Sequence, residues 1–118
     1  MRARYFNIEV NGNPVKTSEC ETETLNEEQK NILNEWINER IKPFVLESGW
    51  IPKHNPTSYT FKHIAEKSLG FYVSNLDFKV AMAMNDIKSD GDFNCRYAIS
   101  STISKVKVDR ALREPFKR

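Results

Sequence analysis

Between Ser58 and Lys88 the chain reads SYTFKHIAEKSLG, FYVSN, LDFKVAMAMNDIK. This run holds the densest set of side chains suited to an anionic partner. Lys62, His63, Lys67 and Lys79 would meet phosphates, and the Asn85 amide is suited to an adenine edge. Further along, Arg96, Lys105 and Lys107 add cations at alternating spacing. No grouping suggests catalysis. There is no glycine-rich phosphate loop, no nucleophile motif and no Cys/His metal spacing. The expectation is therefore a non-enzymatic protein without metal or cofactor. His54, in the proline-bearing stretch WIPKHNPT, reads as an exposed loop histidine. Cys20 and Cys95 match no metal or redox spacing and are expected as free thiols.

Two helices must position these residues. The first is expected over 59–69, capped by Thr57 or Ser58, with Phe61, Ile64, Ala65 and Leu69 inward and Lys62, His63, Glu66 and Lys67 in water. Gly70 suits the left-handed residue that ends many helices. Ser74 or Asn75 caps the second helix, with Asp77 near its positive end. On that helix Leu76, Val80, Ala83, Met84 and Ile87 share one face, which leaves Phe78, Lys79, Met82, Asn85 and Asp86 largely outside it. Two short helices around a glycine turn have the form of a helix-turn-helix, the second helix presenting. Two core helices of a small α+β domain have the same form.

Upstream, ARYFNIEV with Asn11-Gly12 predicts an N-terminal hairpin or strand within 1–24. Thr24 and Glu27 have capping-box spacing ahead of a long amphipathic helix placed at 25–47. Leu33, Trp36, Ile37 and Ile41 form its buried side and Glu35 lies outside, with a break near Lys42 imposed by Pro43. Downstream, Phe93, Cys95, Tyr97 and Ile99 alternate with polar residues, and Ile103, Val106 and Val108 extend the pattern. That predicts a β-element over 93–108, winged-helix-like or a lysine-guarded sheet edge. A basic tail over 109–118 closes the chain.

One α+β domain of 118 residues accounts for all of this, with seven Phe, four Tyr and two Trp as core bulk. Apolar residues are 39% and charged residues 29%. No apolar run reaches membrane-spanning length and no signal peptide is visible, so a cytoplasmic setting is expected. Net charge is +2 but uneven, at −3 over 1–41, +2 over 42–88 and +3 over 89–118. The basic C-terminal half favours nucleic acid; the acidic N-terminal third favours a host or operon protein.

The run TSYTFKHIAEKSLGFYVSNLDFKVAMAMNDIK, followed by FNCRYAIS, resembles a family of small proteins carried by phages, plasmids and other mobile elements. The shared pattern falls on Ser58, Tyr59, Phe61, Lys62, His63 and Glu66, then on Gly70, Tyr72, Val73 and Asn75. It continues on Phe78, Lys79, Ala81 and Met82, and ends on Asn94, Ile99 and Ser100, where Asn94 and Tyr97 only approximate it. The resemblance covers about a third of the chain. It implies a mobile-element setting and no catalytic role; a replication, repressor or anti-defence operon around the gene would each point to a different partner. It also marks Lys62, His63, Tyr72, Asn75 and Lys79 as the surface to inspect, should they lie together.

Overall fold

Asn11 and Gly12 both have positive φ, +53° and +80°, the backbone of a two-residue hairpin turn matched to strand twist. In the computed structural model, which describes residues 4–116, that turn joins β1 (Tyr5–Val10) to β2 (Asn13–Ser18) as an antiparallel pair. Ile8 opposite Val15 sets the register. Ile8, Val10 and Val15 pack on Leu76, Val80 and Ala83 of a helix far along the chain. The Asn13 amide anchors the turn there, donating to the Ala83 carbonyl at 2.9 Å and to Asp86 at 2.8 Å.

Helix α1 (Glu27–Trp36) starts two residues later than the Thr24 cap predicts. Asn26 is the cap, reciprocated by the Gln29 side chain. Thr24 is spent elsewhere, its N–H and hydroxyl both donating to the Asp77 carboxylate. The helix then widens to a π turn over Ile37–Ile41 and tightens to a 3₁₀ turn over Lys42–Phe44. Pro43 lacks an N–H and its ring crowds the carbonyl four residues back, so the expected break is realised as this change of helical pitch. The predicted inner residues hold: Leu33, Trp36, Ile37 and Ile41 are buried, and Glu35 is exposed.

Helix α2 (Ser58–Leu69) ends at Gly70, left-handed at φ +81°. Helix α3 (Asn75–Met84) begins with the Ser74–Asp77 capping box. Here the predicted faces need correction. Phe78 and Met82 are fully buried in the main core, with Phe78 stacked on Phe61 at 5.9 Å. Leu76 and Ala83 are buried under the hairpin, while Met84 is 56% exposed. Covered on two sides, α3 is a central helix, and its least covered side carries Ala81 and Met84, which offer no polar group to a base edge.

Residues 93–108 do not form the expected β-element. Only isolated bridges, Ser89 with Tyr97 and Val45 with Ile99, remain of it. A 3₁₀ turn follows at Ser101–Ser104, then helix α4 (Val106–Arg113). Of the basic tail placed at 109–118, residues 109–116 are held by the fold, and 117 and 118 lie outside the described residues. Arg40 donates to the Glu114 carbonyl at 2.6 Å and to the Ala111 and Leu112 carbonyls at 3.3 Å, satisfying acceptors a helix end leaves open. Ser68 receives the Trp36 indole N–H at 2.9 Å and donates to Glu114 at 2.6 Å. The fold is a small α+β domain, and no helix among the described residues is long and apolar enough to cross a membrane.

Candidate binding site

Helical spacing places Tyr59, Lys62, His63 and Glu66 on adjoining turns of α2. Gly70 turns the chain so that Tyr72 and Asn75 come back beside them. Together with Cys20, Glu21, Thr24 and Ser74, residues Tyr59, Lys62, Tyr72 and Asn75 line a cavity of about 310 Å³. Lys62 is not in water as the helical wheel suggests; it is only 6% exposed. Its ammonium donates to Glu66 at 2.9 Å and lies 5.5 Å from the Tyr59 ring centre and 4.9 Å from that of Tyr72. The ion pair and the ring faces offset the cost of burying that charge.

Glu66 is the hub. The oxygen that takes Lys62 also accepts the Val73 N–H at 3.2 Å, which fixes the link before α3. Its other oxygen lies 3.4 Å from His63 Nδ1. His63 meets Tyr59 edge-on at 4.7 Å. Tyr59 and Tyr72 remain 52% and 61% exposed. Asn75 is buried and donates to the Asn94 side chain at 2.9 Å, while its own side-chain oxygen has no partner.

The other nominated residues separate. Lys79 is sealed, with its ammonium on Glu21 at 2.9 Å, the Lys16 carbonyl at 2.6 Å and the Phe93 carbonyl at 3.0 Å. It cannot reach a phosphate. Asn85 is occupied between helices, donating to Asn34 at 2.7 Å and accepting from Asn38 at 3.0 Å, so it reads no base edge. Arg96 is half-buried and donates to the Asn55 carbonyl at 2.9 Å. Lys67, Lys105 and Lys107 are exposed but do not line the pocket. Tyr59 as a pocket wall escaped the sequence reading; its signal was its place three residues before Lys62 and four before His63.

The two thiols differ. Cys20 is exposed at the pocket, while Cys95 is buried. Burial pushes the Cys95 thiol up, and the neighbouring Tyr97 and Ser58 hydroxyls offset part of that rise. Burial also holds the Tyr97 hydroxyl well above its ordinary value, and the adjacent Cys95 adds to the rise. Such a thiol is a poor nucleophile. Among the described residues no three His, Cys, Asp or Glu stand together as metal ligands. No protein-family model, curated protein or solved structure matches this chain.

Proposed function

We propose that this protein is a non-enzymatic accessory or inhibitor, encoded by a phage or other mobile element, that acts in the cytoplasm by binding a protein partner through the tyrosine-walled pocket. One observation carries the reading: the charge in the pocket is already answered. With Lys62 held by Glu66 at 2.9 Å, the surface on offer is two half-exposed tyrosine rings over a rigid, neutralised base. Tyrosines supply large contact area at low entropic cost and are enriched among interface hot spots. Glu21 at the same pocket is held by Lys79, while the exposed Glu19 and Glu23 beside it repel phosphate. The mobile-element setting rests on the resemblance around Tyr59, Lys62, Tyr72 and Asn75.

A nucleic-acid reading has its own support in α4 and the residue before it, where Lys105, Lys107, Arg110 and Arg113 are exposed. It would not use a helix-turn-helix or winged-helix mode, because α3 would have to leave the core. His63 and Lys67 could add contacts, and four to five phosphates give a log–log salt slope of about −3.5 to −4.5 on duplex DNA. The deciding experiment pairs capture from lysate of the cells that carry the gene with titrations of duplex and single-stranded DNA at two salt concentrations. The protein-binding reading expects a stoichiometric partner that Tyr59→Ala/Tyr72→Ala loses, and no DNA binding near physiological salt. Salt-steep DNA binding abolished by Lys105→Ala/Lys107→Ala and indifferent to the tyrosines would replace it with the second reading.

A further inference from the structure

We infer that the groove between α1 and α3 receives a short basic amphipathic helix from a protein partner. The groove is a different surface from the tyrosine pocket, and the inference does not need that pocket. It encloses about 500 Å³. Leu25, Leu33, Val80 and Ala81 line it, and Met84 stands in its wall, 56% exposed. A flexible thioether can fit itself to an incoming apolar side chain.

Both ends of the groove are cross-linked. Thr24 bonds Asp77 at 2.9 Å at one end, and Asn85 bonds Asn34 at 2.7 Å at the other. The α1 residues between them, Glu27 to Leu33, span about 10 Å, the length of two helical turns. The rim sets the sign of the occupant. Glu23 and Glu27 line it, and Lys30, the only cation in α1, sits 3.8 Å from each. That distance is beyond a good hydrogen bond, so both carboxylates keep acceptor capacity for an incoming cation. Glu27 is also 89% exposed at its side chain. An apolar floor under an acidic rim complements a helix with an apolar stripe at i, i+3, i+4 and i+7 flanked by Lys or Arg. Phosphate meets repulsion here. A second copy is a poor fit, since the Leu112 face of its basic α4 is already buried in its own core.

The test uses a synthetic helical peptide of about 14 residues, with leucine at the stripe positions and lysine elsewhere, and a counterpart with glutamate for lysine. Each is titrated into the isotope-labelled full chain and followed by NMR. The lysine peptide should shift the Met84 methyl and the Lys30 and Ala81 amides, and bind about tenfold or more tighter than the glutamate peptide. Met84→Lys should weaken it about tenfold. Glu27→Lys, at a site too exposed to disturb folding, should weaken it several-fold and reduce its salt dependence. Tyr72→Ala should leave it unchanged. The inference is overturned by absence of binding, by shifts confined to the 18–23 segment, by equal affinity for the two peptides, or by indifference to both groove substitutions. Loss of peptide binding in Tyr72→Ala would place the peptide in the tyrosine pocket and overturn it as well.

Discussion

Lys62 and Lys79 sit on consecutive helices, both buried, at 6% and 2% exposure, and each meets a glutamate oxygen at 2.9 Å. Their surroundings differ in one respect. Lys79 has an acceptor for each of its three protons and the Phe93 ring 4.2 Å away. Its Glu21 partner also accepts the Thr17 hydroxyl at 2.9 Å. That arrangement ties the hairpin, α3 and the 90s loop into one closed knot. Lys62 has one oxygen, and two tyrosine faces that are themselves half in water. Burial alone therefore does not separate a structural lysine from a recognition element. Saturation of its donors does, and only the Lys62 site is left open to a partner.

The sharpest way to break this comparison is to remove each lysine. Lys79→Ala leaves the largely covered Glu21 without its cation, with only the Thr17 hydroxyl on it, and should cost about 3 kcal/mol in urea melts. Lys79→Met with Glu21→Leu should recover most of that loss, because an apolar pair carries no desolvation cost. A loss below about 1 kcal/mol for Lys79→Ala would mean the knot is hydrated and no different from an exposed pair.

The thiols sharpen the same contrast, since Cys20 lines the Lys62 pocket while Cys95 is buried within the electrostatic reach of Lys79. A thiol reagent should modify Cys20 in the native protein and Cys95 only through unfolding. The raised Cys95 and Tyr97 groups hold their protons more tightly folded than unfolded. Their contribution to stability is whole below the ordinary thiol value of 9.0 and falls as pH rises past it. Urea midpoints should thus fall as pH rises above about 9 through Cys95, and further above the ordinary tyrosine value of 10.0 through Tyr97, and the fall above 10.0 should be smaller in Tyr97→Phe. A drop unchanged in Tyr97→Phe would remove this cluster from the account. Lys62→Ala should cost less, about 1–2 kcal/mol, since Glu66 keeps the Val73 N–H and some contact with water. Tyr72→Ala should cost least, under about 0.5 kcal/mol, and a larger loss would make the tyrosine structural.

The sequence showed the hairpin turn, the Gly70 stop, the Ser74 cap and the buried stripe of α1, because each is written within a few residues. It did not show the burial of the two lysines, since Glu21 lies 58 residues from Lys79 and charge is read as exposed by default. The wheel of α3 failed for a related reason: a helix covered on two sides carries two apolar stripes, and one-face logic assigns the second, Phe78 and Met82, to solvent. At the C-terminal end, Phe93 to Ile99 alternate as a strand would but find no partner strand. Val106 and Val108 also fit a helix, and the Asp109–Arg113 pair at 2.9 Å favours one. Of the five residues the resemblance marked, Lys62, Tyr72 and Asn75 line the pocket, His63 flanks it through Glu66 and Lys79 lies apart; Tyr59 and Cys20 were not read as walls.

Arg40 reaches carbonyls more than seventy residues later in the chain. Translation delivers α1 long before residues 111–116, so the Trp36–Ser68–Arg40 cluster waits, incomplete, for a late-arriving piece. A chain cut after α3 and before Ala111 would leave Arg40 with Ser68 alone among these partners, and the Ser68 hydroxyl proton without the Glu114 carbonyl.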